Sequence, residues 1–448
     1  MSIQSLILPY LPRVARNAFH RIEASPLGYR IARGAFWSIS GAVVSRALML
    51  FANIIVARIL SCEVYGELGM IRSTVNMFIV FAGFGLGLTA TKHVAEFRES
   101  DPDRAGRIMA LSGIFSMFMG AIITLLLIFS APWLCIKTIN APHLIPELRF
   151  AAIILLISAI NGAQTGSLAG LEAFKTIAIV NLWVGVFSMP MLICGAYYGG
   201  LSGCVLAIGA NIGVNWILNH IALRVETKRY SIQLSFKNCF KEWPVLWKFS
   251  LPSALSGIMV GPVMWICNAL LVNQKNGYEQ LGIFDAANQW RLAILFIPTI
   301  VSQIVLPMLS NLNGTGDHDS YINILKMNIV INTLVSITIV IPIILISPWI
   351  MSAYGENFKG GNLTFIILSL STILNAMNNV IGQAIASKSQ MWFGFLFNCM
   401  WGMALLTLSY LLVGKYQALG LSLAYLISYV LHAIWQSFYL FKILNFYK

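Results

Sequence analysis

Four ionisable side chains stand inside long apolar runs of this sequence: Arg46, Arg72, Asp285 and Arg291. A charge at the centre of a membrane-crossing helix costs about 2.5 to 3.5 kcal/mol on insertion scales, so such a residue usually faces a water-filled cavity or a partner. Three of the four are cations. Each guanidinium is a planar fork with five N–H donors, a shape suited to bidentate bonds with the oxygens of a diphosphate. The structural alternative is an arginine that snorkels to the interface or is held in an ion pair.

Helical spacing gives these charges polar neighbours. Ser38, Ser45, Arg46 and Asn53 recur at about seven residues, Arg72 and Asn76 are one turn apart, and Asn288 shares a face with Arg291. Arg46, Arg72 and Arg291 with Asn53, Asn76 and Asn288 are therefore the candidate anion-binding set. Lys92 and His93, at the end of the second apolar run, are candidates to receive an anionic headgroup first, against the plainer reading of a solvated loop edge. Three polar stripes repeat at i, i+4 and i+8: Asn211, Asn215 and Asn219; Asn328, Asn332 and Ser336; Asn375, Asn379 and Gln383. Their default use is interhelical hydrogen bonding, at about 0.6 kcal/mol per bond, with contacts to sugar hydroxyls the alternative. Trp183, Trp265, Trp290 and Trp401 divide in the same way between packing or interface anchoring and stacking on sugar rings. Gly83 with Gly87, and Gly257 with Gly261, are expected to permit close helix contact.

The elements that must position these residues follow from composition. Of 448 residues, 58% are hydrophobic and 10% charged, and the mean hydropathy is +0.78. About a quarter of a soluble domain is charged, so a water-soluble enzyme is excluded. Apolar runs of roughly 20 residues each cross about 30 Å of hydrocarbon. They predict spans near 34–58, 67–91, 108–130, 149–168, 177–198 and 201–223, then 248–272, 281–306, 323–347, 363–386, 390–413 and 418–441. The expectation is an all-α polytopic membrane protein of twelve transmembrane helices, with both termini on one side.

Lys and Arg in short connections set the orientation. Arg13, Arg16, Arg21, Arg30 and Arg33 precede the first span; Lys92, Arg98, Arg104 and Arg107 follow the second; Arg224, Lys228, Arg229, Lys237, Lys241 and Lys248 lie at the centre. The alternate connections hold little more than Lys137, Lys275, Lys359 and Lys415, which puts both termini in the cytoplasm; the stretch from Asn311 to Ser320 has no Lys or Arg and adds nothing. The net charge of +13 thus reports topology rather than nucleic acid. Residues 1–33 are expected to form a basic tail on the cytoplasmic lipid surface, since Pro9 and Pro12 interrupt an apolar start too short for a signal core. Seven scattered cysteines form no CxxC pair, the six histidines are dispersed, and no Walker motif is present, so neither metal nor cofactor is expected.

The chain divides into a six-helix lobe at 34–223, a basic cytoplasmic linker at 224–247, and a second six-helix lobe at 248–448. A faint repeat links the lobes: Tyr65, Leu68 and Gly69 in VYGELGMIR recur as Tyr278, Leu281 and Gly282 in GYEQLGIFD, each at the entry to the second helix of its lobe. Under that alignment Arg72 corresponds to Asp285, so a pseudo-twofold along the membrane normal makes them mates of opposite sign and a candidate gate.

Three stretches resemble a family. ARILSCEVYGELGMI with FGLGLTATKHVAEF, QTGSLAGLEAFKTIAI, and WKFSLPSALSGI are similar to lipid-linked oligosaccharide (O-antigen type) flippases, the polysaccharide-transport branch of the multidrug/oligosaccharidyl-lipid/polysaccharide exporter superfamily. The resemblance implies two six-helix lobes around a central cavity, alternating access, a polyprenyl-diphosphate-linked oligosaccharide as cargo, and the bacterial inner membrane as location. It also leaves room for a polysaccharide polymerase or chain-length machinery as partner. Two other classes stay open at this point. An ion-coupled multidrug exporter of the same fold would call for cavity carboxylates, for which Asp285 is the sole candidate. A membrane polymerase or ligase would call for acid/base or metal-binding residues and a sizeable outer loop.

Overall fold

The computed structural model describes residues 26–236, 238–251, 258–315, 317–388 and 390–446, which are overwhelmingly helical. The first half holds α1 (Pro26–Leu60), α2 (Cys62–Gly83), α3 (Leu86–Phe97), α4 (Pro102–Trp133), α5 (Ile145–Gly170) and α6 (Phe174–Arg229). The second holds α7 (Val260–Val272), α8 (Gly277–Ile294), α9 (Phe296–Thr315), α10 (His318–Leu345), the short α11 (Ser347–Tyr354), α12 (Asn362–Ser387) and α13 (Met391–Phe446). Most of the expected tail, residues 1–25, lies outside the described residues, as do Lys237 and Gly257.

Local sequence explains the starts and breaks. Asp101 caps α4 by accepting from the Arg104 amide, with Pro102 in the first turn where no amide donor is needed. The second predicted span is two helices, α2 and α3, set at 41°. The joint is Phe84 and Gly85, both in left-handed backbone. Long α6 folds back at Gly200, φ 55°, and long α13 at Gln417, φ 50°, so each supplies two segments. The turn in α6 is tight, because a Cβ on Gly203 would stand 2.1 Å from the Gly195 carbonyl oxygen. Among the described residues, seven helices are long and apolar enough to cross a membrane, or eight with α2 and α3 taken as one bent span. With α6 and α13 each bent into two segments, and residues 252–257 outside the described set, the architecture is compatible with twelve crossings.

Each half packs chiefly within itself: α1 on α6 and α4 on α5 in the first, α12 on α13 and on α10 in the second. The halves meet where α2 lies against α7 and α8, with smaller contacts of α1 on α8 and α11. The expected central linker is not a free strand of chain. Its first residues extend α6 to Arg229. Further on, Glu242 accepts from Arg104 Nε at 3.1 Å and from Arg107 Nη2 at 3.3 Å, and the Gln233 carbonyl approaches Gly106 so closely that a Cβ there would stand 2.0 Å from it. The linker is thus bound to the start of α4, and part of the basic charge there is neutralised by this carboxylate.

Candidate functional site

The two copies of the Tyr-x-x-Leu-Gly motif pack against each other. At the crossing of α2 and α8, a Cβ on Gly66 would lie 1.8 Å from the Tyr278 carbonyl oxygen, and a Cβ on Gly282 would lie 2.1 Å from that of Cys62. Only glycine lets the backbones approach this far. Tyr65, fully buried, sets its ring edge against Tyr354 and Phe358 at 6.4 and 6.0 Å. Trp290 Nε1 donates to the Tyr354 hydroxyl at 3.2 Å, and Arg58 at the end of α1 donates to the Ala353 carbonyl. Aromatic rings and backbone contacts therefore close the molecule between its halves at the end that holds the α1–α2 turn.

Just inside this closure lie Arg72 and Asp285, their Nη1 and Oδ2 3.9 Å apart. That separation is longer than a direct charge-assisted hydrogen bond, about 2.7 to 2.9 Å. Gly69 makes room for the carboxylate, with its would-be Cβ 3.3 Å from Asp285 Cγ. Arg72 Nη1 donates instead to Asn53 Oδ1 at 2.9 Å. Asn53 also accepts from the Tyr65 hydroxyl at 3.4 Å and donates to the Met49 carbonyl at 2.8 Å. Asn53, 1% exposed, is thereby consumed in holding Arg72 to α1.

A cavity of about 880 Å³ opens further along the interface. Arg46 of α1 stands on one side; Arg291, Leu292 and Phe296 of α8 and α9, Asn375 and Gln383 of α12, and Trp401 and His432 of α13 form much of the rest. Arg46 Nη1 donates to the Leu292 carbonyl at 3.5 Å, and its guanidinium carbon lies 4.4 Å from the Phe296 ring centroid, within cation–π range. Arg291, 3% exposed, donates from Nε to Asn288 Oδ1 at 2.8 Å and stands 5.2 Å from the Tyr425 ring centroid. Asn288 thus orients the guanidinium, one residue removed from the cavity. Among the described residues, no carboxylate lines this cavity.

The structure separates the sequence candidates into groups. Arg46 and Arg291 share the cavity, with Asn288 behind Arg291. Arg72, Asn53 and Asp285 sit at the inter-half contact. Asn76 is exposed and outside the cavity lining. Lys92 and His93 lie on α3, away from the cavity lining; His93 Nδ1 is 3.2 Å from Glu96 Oε2 and its ring stacks on Phe97. The polar stripes divide too. Asn219 bonds Asn161 and Asn215, and Asn332 bonds Asn328 and Ser302, whereas Asn375, Asn379 and Gln383 line the cavity. Trp265 is tied to Thr74 and Trp290 to Tyr354, but Trp401 faces the cavity. Sequence reasoning missed Asn398, His432 and Gln436; the one available signal was the shared helical face of Tyr429, His432 and Gln436.

An all-helical, many-span chain whose halves pack at one end and part around a polar cavity defines a membrane transporter architecture. A solved structure of the lipid II flippase MurJ, in an inward closed conformation, superposes with a TM-score of 0.69 at 15% identity, over 90% of this chain and 87% of that one, which shows the shared fold. The pattern of the family described as "Polysaccharide biosynthesis protein" matches residues 31–313, and the chain belongs to this family. Among individual proteins, it is similar to the EPS I polysaccharide export inner membrane protein EpsE of Ralstonia nicotianae, 27% identical over 315 residues, covering 68% of this chain. The aligned part is 66% of that relative's length, slightly under two thirds. It is also similar to the lipid III flippase of Escherichia coli, 21% identical over 436 residues, covering 90% of this chain and 96% of that protein.

Proposed function

We propose that the protein is a flippase that carries an anionic polyprenyl-diphosphate-linked oligosaccharide from the cytoplasmic to the outer leaflet by alternating access, in the assembly of an O-antigen-like surface polysaccharide. The observation that carries this reading is the cavity's charge: Arg46 and Arg291 line one volume with no carboxylate among the described residues. Two guanidinium forks suit a diphosphate, and a cavity without carboxylates disfavours an exporter of cationic drugs. A polymerase or ligase is disfavoured as well, since among the described lining residues His432 and Tyr429 are the only side chains able to serve as acid or base. The names of the relatives, a polysaccharide exporter and a lipid III flippase, point to the same cargo class.

In this reading both termini are cytoplasmic, the packed α2–α8 crossing is the outer side, and the cavity receives cargo from the inner leaflet. Arg72 and Asp285 form the gate: they pair when the outer side is shut and part when it opens. Lys92 and His93 meet the headgroup on entry. An inside-negative potential favours outward passage of the anion by about 2.3 kcal/mol per charge per 100 mV, so no nucleotide site is required. The product feeds a polymerase or chain-length system. The test is complementation of a strain lacking the gene: Arg46→Ala or Arg291→Ala abolishes surface polysaccharide at unchanged protein abundance, and Lys at either position restores part of it. Normal polysaccharide from a stable double-Ala variant overturns the reading.

A further inference from the structure

The cavity wall contributed by α12 and α13 has a chemistry of its own. Asn375, Asn379 and Gln383 stand on one face of α12, all half-buried. Asn375 donates to the Tyr429 hydroxyl at 3.2 Å, and Asn378 to the Tyr429 carbonyl at 3.1 Å. Asn379 and Gln383 have no hydrogen-bond partner among the described residues. Behind them, Asn378, Trp401, His432 and Gln436 are between 3 and 7% exposed. Each of these four keeps one polar atom unbonded: Asn378 Oδ1, Trp401 Nε1, His432 Nδ1 and Gln436 Oε1. Buried polar groups are ordinarily satisfied, and leaving one unmade is costly, so four such atoms sealed in the wall behind the two unbonded amides of Asn379 and Gln383 mark a wall built for polar contact rather than for packing alone.

The donor set also says which ligand. Carboxamides present acceptor and donor atoms side by side, the indole N–H donates, and the imidazole does either. Hydroxyl and acetamido groups need that mixture. Among the described residues no Lys, Asp or Glu lines the cavity, so beyond the two arginines the described wall carries no fixed charge. A volume of about 880 Å³ is in the range that encloses a drug-sized molecule, enough for the sugars nearest the lipid but not for a long glycan.

We propose that the α12–α13 amide wall is a glycan subsite that holds the uncharged sugars next to the diphosphate through their hydroxyl and acetamido groups, while Arg46 and Arg291 hold the diphosphate itself. The assignment rests on the flippase reading. It adds a recognition element made by the second half, so selection among cargoes is made by hydrogen bonding at α12 and α13 and anion capture is made separately by the arginines.

The test uses the full chain in liposomes with two fluorescent probes: a polyprenyl diphosphate carrying a neutral disaccharide with an N-acetylated first sugar, and the same lipid diphosphate without sugar. Asn379→Leu with Gln383→Leu keeps side-chain size and removes the amides. Movement of the disaccharide lipid should fall roughly ten-fold, as expected for the loss of one or two net hydrogen bonds, while movement of the bare lipid diphosphate changes less than about two-fold. Equal loss of both probes, or no loss of either, overturns the subsite and leaves the flippase reading standing. Failure of the wild-type protein to move the disaccharide lipid overturns that reading and the subsite with it. Should the double variant not fold, Asn398→Leu on α13 is carried through the same two probes, and the same outcomes decide.

Discussion

The first and last turns of α8 serve opposite ends. Its first turns, from Tyr278 to Gly282, press backbone to backbone on α2, where a methyl group at Gly66 or Gly282 would overlap a carbonyl oxygen. Its last two turns carry Asn288 and Arg291, and there the chain borders a cavity edged by polar side chains. About two helical turns separate a contact too close for any side chain from a space large enough for a ligand. The difference teaches where this molecule spends its glycines and where its polar atoms. Small residues bring helices together where no hydrophobic force acts between them inside a membrane, and ionisable residues are tolerated where a cavity keeps them wet. Asp285 stands between the two regimes, room for it made by Gly69 and its charge 3.9 Å from Arg72.

If the cavity end binds the cargo and the crossing end closes the outer side, variants of the two regions fail differently. The largest effect is expected at Arg291, which is buried and held by Asn288. Arg291→Ala should lower transport by two or more orders of magnitude, whereas Asn288→Ala, which frees the guanidinium without removing it, should cost roughly ten-fold, about 1.4 kcal/mol; initial rates in liposomes measure both. Next is the crossing: Gly66→Val should lower the unfolding midpoint in detergent and slow transport, because overpacking costs about 1 to 3 kcal/mol and here the clash is with backbone. Smaller and conditional is the charge pair. Arg72→Asp and Asp285→Arg should each slow transport, and the double swap should restore it if the two form a gate; a folded double variant that remains slow would assign Arg72 to the cargo instead. The smallest effect is expected at Gly83, where a Cβ would meet nothing within 4 Å. Gly83→Ala should leave transport unchanged, which separates the loss of a glycine from the loss of a glycine contact.

Gly83 also shows where a sequence stops being informative. It was expected to bring two helices together alongside Gly87, and the partner is Gly87 alone, whose would-be Cβ stands 2.9 Å from the Gly162 carbonyl. Glycine spacing marks a possible contact but carries no information on which neighbour arrives. The spans themselves were legible because apolar runs are set by the thickness of the bilayer, and the break at Gly200 was legible as the gap between the expected spans 177–198 and 201–223. The joint at Phe84 and Gly85, inside an unbroken apolar run, was not. Nor was α11, because eight residues between spans look like loop by composition. Arg46 and Arg291 stood out since a charge in an apolar run is conspicuous. His432 and Gln436 did not, because their significance comes from α12 and Trp401 packed beside them, a tertiary fact. The embrace of Arg104 and Arg107 by Glu242 is of the same kind, joining residues more than a hundred positions apart.

The central claim is that one cavity, through Arg46 and Arg291, carries a lipid-linked diphosphate across the bilayer. The most direct measurement is the initial rate at which purified protein in liposomes moves a fluorescent polyprenyl-diphosphate oligosaccharide to the opposite leaflet, compared with the Arg46→Ala, Arg291→Ala protein at equal density. The account predicts movement well above protein-free liposomes for the wild type and none above that background for the variant. Equal rates for the two proteins, with both folded, would contradict it.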